Sequence, residues 1–167
     1  MKKSLLVLLL LAGCGRGDPA TDNRAEPERP AAEPGKESPP GETGARLTGL
    51  YEGGEGAQKN QLCIVEKGSE ARFGLLVWGG NLHSCSGAGI ARRGGGRLQL
   101  SMTGDETCTI DATLKDGVVV LPQTLPTGCA YYCGAHASLA GARFTRSGTT
   151  EADAHKATDI AGDRLCD

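Results

Sequence analysis

Aromatic side chains are scarce: one Trp, three Tyr and two Phe stand among 167 residues. So few rings leave little material for a deep aromatic-lined pocket around a large ligand. An excess of one charge is also missing. Eighteen Lys and Arg against twenty Asp and Glu give a formal net charge of -2, whereas a nucleic-acid-binding domain carries a clear basic excess. No apolar run is long enough to cross a bilayer as a helix, which needs about 20 residues; the longest begins at Leu5 and ends by Gly13. No Cys-x-x-Cys pair occurs, so the usual dithiol redox motif is absent. Twenty-six Gly and seven Cys, by contrast, are a generous supply. That mix predicts a small, turn-rich fold held partly by disulfides.

The N-terminus has its own pattern. Lys2 and Lys3 precede the apolar stretch of residues 5–11, the arrangement of a secretory signal peptide. The stretch ends in Leu11-Ala12-Gly13-Cys14, which resembles the lipobox of bacterial lipoproteins. The resemblance implies that residues 1–13 are a signal peptide cut after Gly13. It implies that Cys14 carries a diacylglyceryl group and that the membrane is met through that lipid. Stable anchoring takes more than one acyl chain, and a diacylated or triacylated Cys14 supplies them. The address implied is the cell envelope, facing the periplasm. Aspartate after the lipidated cysteine favours inner-membrane retention in many lipoproteins; Gly15 stands there instead, so the outer membrane is favoured.

Residues 14–45 read as the lipidated cysteine and a tether. From residue 15 onward they hold six of the eight prolines and no Val, Ile, Leu, Met or aromatic residue. Such a segment cannot bury enough apolar surface to offset its ordering entropy, and disorder is expected. A flexible chain of that length spans about 30 Å, and its prolines extend it further.

Residues 46–167 contain all six aromatics, six cysteines, twelve basic and thirteen acidic residues. Leu98, Leu100 and Met102 alternate with Arg97, Gln99 and Ser101. Cys108, Ile110, Ala112 and Leu114 alternate with Thr107, Thr109, Asp111 and Thr113. Period two marks strands with one apolar face. Gly104-Asp105-Glu106 joins these two, and Asp116-Gly117 leads to Val118-Val119-Val120-Leu121, a strong hairpin signal. Residues 47–52, 62–67, 72–78, 82–92 and 139–146 read as further strands, the last with Phe144 facing inward. About eight short strands in sequence predict a mainly β fold, an antiparallel meander or small barrel, with a sandwich as the alternative. Thr150 and Asp153 form a capping pair, and Ala157, Ile160, Ala161 and Leu165 share one helical face, so a short C-terminal helix is expected near Cys166.

Six cysteines remain once Cys14 is set aside: Cys63, Cys85, Cys108, Cys129, Cys133 and Cys166. An even number in an exported domain reads as three disulfides, with 15 pairings open. Cys129 and Cys133 are expected to bond elsewhere rather than to each other. The competing reading takes Cys129, Cys133 and His136 as soft metal ligands, but the fourth ligand of a structural zinc site is not identifiable. No metal or cofactor is therefore expected.

Catalytic constellations are equally thin. His83 and Ser84 are neighbours on an expected strand, where adjacent side chains face opposite ways. Gly87-Ala88-Gly89 reads as a place where another backbone comes close. Arg92, Arg93 and Arg97 surround a glycine hairpin tip and make a small basic patch. Leu121-Pro122-Gln123 and Ala140-Gly141-Ala142-Arg143-Phe144 resemble segments of the periplasmic inhibitors of C-type lysozyme, which are often lipid-anchored, disulfide-bonded β-barrels. That resemblance implies a partner contact at Arg143 and the loop before it, although the serine of the family motif is Ala140 here and its aromatic is Phe144. The Cys-Ala-Tyr-Tyr-Cys stretch is similar to small bacterial envelope lipoproteins. The expected function is a lipid-anchored envelope lipoprotein with a non-catalytic binding or structural β domain. The alternative is an inhibitor of a lysozyme-type cell-wall hydrolase, with a protein partner in the envelope and no nucleic acid.

Overall fold

Turn chemistry and period-two patterning together produce eight antiparallel strands. A computed structural model describes residues 46–105 and 107–167. The signal peptide, the lipobox with Cys14, the tether, and Glu106 of the inferred hairpin lie outside the described residues. The strands are β1 Gly49–Gly53, β2 Asn60–Lys67, β3 Glu70–Trp78, β4 Ser84–Gly94, β5 Arg97–Met102, β6 Thr109–Lys115, β7 Val118–Val120 and β8 Arg143–Arg146. Each pairs with the next, and β8 returns to pair with β1 through Tyr51↔Arg146 and Glu52↔Thr145. The mainly β expectation is met by a closed up-and-down barrel, and the sandwich alternative falls.

Alternation decides what fills the barrel. Leu62, Ile64, Phe73, Leu75, Leu98 and Leu100 point inward and are buried, joined by Ile110, Val119 and Phe144. At Asp116 and Gly117 both φ angles are positive, 50° and 75°. A two-residue turn of this kind matches the twist of the flanking strands, and it sets the register Lys115↔Val118. The expected close approach at residues 87–89 is also present: a Cβ on Gly89 would overlap the Ser101 carbonyl.

A second apolar cluster lies outside the barrel wall. Leu50, Cys63 and Val65 face outward and are covered by Ala154, Ala157 and Cys166, with Leu165 packed alongside. The Cys63–Cys166 disulfide holds that cover in place across 103 residues of chain.

Three sequence expectations need correction. The strand read at 82–92 begins at Ser84, because Asn81 and Leu82 adopt φ of 55° and 63° in a turn. The strand read at 139–146 is reduced to β8, since Gly141 (φ 69°) bends the chain and Leu139 turns into the core. The C-terminal helix is only α1, Glu151–Ala154. Its capping box is as expected: Thr150 Oγ1 accepts from the Asp153 N–H at 3.1 Å, and the Asp153 carboxylate accepts from the Thr150 N–H at 3.2 Å. Beyond it, the Asp159 carboxylate accepts from the N–H groups of Ala161 and Asp163, at 2.8 and 2.9 Å, and winds the chain into a tight loop. Ile160 consequently points away and is 69% exposed, while Ala157 stays buried.

Candidate functional site

Successive strands run in opposite directions, so every connection falls at one of two ends. One end carries the short turns after β2, β4 and β6, together with Arg46, where the described chain begins. The other carries the loops after β1, β3 and β5 and the long connection from β7 to β8, residues 121–142. That connection is the longest between two strands of the barrel.

Its neck is closed by backbone pairing. The Leu121 N–H donates to the Ala142 carbonyl at 2.8 Å, and the Gly141 N–H to the Pro122 carbonyl at 3.0 Å. The two segments that resemble lysozyme inhibitors, 17 positions apart at their nearest (Gln123 to Ala140), therefore lie side by side. Past the neck, a 3-10 turn, Thr127–Tyr132, carries Cys129 into a disulfide with Cys108, and Cys133 follows in a disulfide with Cys85. Both cysteines bond elsewhere, as expected. Their sulfurs are committed, so the Cys129, Cys133 and His136 metal reading is overturned. Among the described residues, no group of three or more His, Cys, Asp or Glu could hold a metal ion.

The connection is tied to the adjoining loops as well. Tyr132 Oη accepts from the Asp105 N–H at 2.8 Å and donates to the Thr103 carbonyl at 3.2 Å. The Gly134 N–H donates to the Ser84 carbonyl at 2.9 Å, and the Gly80 N–H to the His136 carbonyl at 2.8 Å. Leu121, Cys129 and Leu139 are buried and stop that end of the barrel. Outside them lies an open depression of about 470 Å³, lined by Leu125, Cys129, Cys133, Ala137, Leu139 and Ala140 among others.

Several side chains are presented at this end of the barrel. Tyr131 is 77% exposed and rests edge-on against Tyr132, ring centroids 5.2 Å apart. His83 and His136, 53 positions apart in sequence, meet edge to face at 4.9 Å. Thr107 holds the Asp105 carboxyl below the usual carboxylate range by donating from its hydroxyl and its backbone N–H. Arg143 is exposed as the first residue of β8, paired with Val120. His83 lies before β4 rather than on it, so the strand argument against a Ser84 partnership does not apply there. The His83 ring is packed on His136 and on Gly134, where an added Cβ would lie 2.8 Å from its Nδ1.

Comparison with family models, curated proteins and solved structures finds no match to this chain. The chemistry has to be argued from the residues themselves. What they supply is a rigid rim: two disulfides and a satisfied tyrosine hydroxyl hold an exposed aromatic, two imidazoles and a shallow depression of mixed polarity. Tyr131 and Tyr132 were visible in the Cys-Ala-Tyr-Tyr-Cys stretch, but only the Cys108–Cys129 and Cys85–Cys133 pairings show which way they face.

Proposed function

We propose that the chain is a lipid-anchored lipoprotein of the cell envelope whose residues 46–167 form a non-catalytic binding module. The observation that carries the binding part is the disulfide-held rim with Tyr131 at its edge. Exposed aromatics on a pre-ordered surface are favourable anchors for a protein partner, because little side-chain freedom is lost on contact. The filled barrel interior supports the same reading, since it directs any partner to the outside of the fold. The anchoring part rests on Leu11-Ala12-Gly13-Cys14. Intact mass of the mature protein should carry acyl chains on Cys14, and Cys14→Ala should release the protein from membranes. A wild-type product recovered soluble and unacylated would remove the anchor. For the rim, Tyr131→Ala should abolish crosslinking to envelope proteins captured by the wild type; an unchanged crosslinking pattern counts against it.

The meeting of residues 121–123 with 140–144 favours a second reading, an inhibitor of a lysozyme-type cell-wall hydrolase with Arg143 at the contact. Purified residues 46–167 should then slow lysozyme turnover, and Arg143→Ala should relieve the effect. No inhibition at micromolar protein across several lysozyme types would discard it.

A further inference from the structure

We propose that the turn end of the barrel docks on anionic phospholipid headgroups, seating the domain with its arginine hairpin on the membrane and the Tyr131 rim turned outward. The proposal rests on the reading of Cys14 as the anchor. It adds a second, protein-borne contact and an orientation.

The barrel's register gathers the charge. The β4–β5 turn brings Arg92, Arg93 and Arg97 to this end, where they are exposed. The β2–β3 turn adds Lys67 between Glu66 and Glu70, and the β6–β7 turn adds Lys115 with Asp116. Arg46 and Arg146 stand where the chain enters β1 and leaves β8. The three turns and the chain's entry and exit thus carry seven cations and three carboxylates, in a domain whose totals are twelve and thirteen. The short helix α1, which carries Glu151 and Asp153, packs against β1 and β2, strands that do not neighbour the β4–β5 hairpin. Asp153 there already pairs with Lys156 at 2.6 Å.

Shape permits a flat partner. Nothing lies within 4 Å of where a Cβ would sit on Gly68, Gly94, Gly95 or Gly96. Two neighbouring turns therefore end in bare backbone, with Arg92 and Arg97 flanking one of them. Guanidinium groups match phosphate geometry with paired donors, and a sheet of phosphates can meet several at once. Arg146 serves differently: it donates to the Arg46 and Thr48 carbonyls and closes the end of the barrel over Tyr51. The described chain begins at Arg46 on this same end, so the link to Cys14 leaves the domain from the face proposed to meet lipid.

The test uses residues 46–167, which contain both apolar clusters and all three disulfides and lack Cys14. The protein is sedimented with vesicles of phosphatidylcholine alone and of phosphatidylcholine with phosphatidylglycerol, across a salt series. Binding is expected only to the anionic vesicles, falling as salt screens the charges. Each lost arginine should weaken partition about five-fold, so Arg92→Gln with Arg97→Gln should reduce it about 25-fold. Lys59→Gln, at the opposite end, should change nothing. Equal binding to both vesicle types, no binding to either, or insensitivity to the double substitution would overturn the proposal. Binding to polyglutamate but not to anionic vesicles would overturn it too and assign the patch to an acidic protein. Acylation of Cys14 is read separately on the intact protein, so a failed docking surface and a failed anchor give different results.

Discussion

Gly74 sits on the outer face of β3, directly under the C-terminal segment, and a Cβ there would overlap the Leu165 carbonyl. Any side chain must push that segment off the wall. Gly74→Ala should therefore destabilise the fold by about 1–3 kcal/mol, the usual range for overpacking, read as a lower urea midpoint. Gly94→Ala, in open space, should leave the midpoint nearly unchanged. Tyr51 is the second decisive residue. It is 1% exposed, its hydroxyl donates to the Leu47 carbonyl at 2.8 Å, and burial raises its pKa above the ordinary value despite the nearby Arg146. The folded protein thus keeps this proton to higher pH than the unfolded chain. The associated stability is complete below pH of about 10 and is lost as pH rises beyond it. Denaturation midpoints taken on both sides of that value should fall more steeply in the wild type than in Tyr51→Phe. Parallel slopes would assign the alkaline loss to other groups.

Elements behave less independently than their sequences suggest. Residues 150–165 have a helical apolar spacing, yet only four residues are helical, because Cys166 must reach Cys63 and the Asp159 loop shortens the path. Spacing reports which residues are apolar; it does not report where a covalent bond will pull them. Cys166→Ser should free this strap while the barrel stays closed. Hydrogen exchange should accelerate in residues 155–167, and limited proteolysis should trim them, with β5 and β6 still protected. Equal loss of protection throughout would mean that the strap is integral to the barrel. In the β7–β8 connection the same logic applies twice. Strand patterning said nothing of residues 122–138 and wrongly extended a strand back to 139, because the fold there follows from Cys85 and Cys108 on distant strands rather than from local period.

For the molecule as a whole, covalent closure compensates for a core with few aromatic rings. On a chain-entropy estimate, the loops closed by Cys63–Cys166 and Cys108–Cys129 are worth about 5 and about 3 kcal/mol, from separations of 103 and 21 residues. Reduction should accordingly lower the melting temperature by many degrees. Non-reducing peptide mapping should return Cys63–Cys166, Cys85–Cys133 and Cys108–Cys129; any other pairing would contradict the arrangement of the rim.

The amino-acid order alone determined most strands of the barrel, the start of β4 and the length of β8 excepted, because alternation and turn residues act within a few positions of one another. Leu98, Leu100 and Met102 had to share a face, and Asp116-Gly117 had to reverse the chain. It also determined that the cysteines were even in number beyond Cys14 and that the arginines clustered at one hairpin. Only the tertiary structure decided closure, since Tyr51↔Arg146 joins residues 95 positions apart. It alone chose one of 15 cysteine pairings, stopped one end of the barrel with Leu139, and brought His83 to His136. Those outcomes depend on contacts between distant segments, whose geometry exists only once the strands have fixed their register and the barrel has closed.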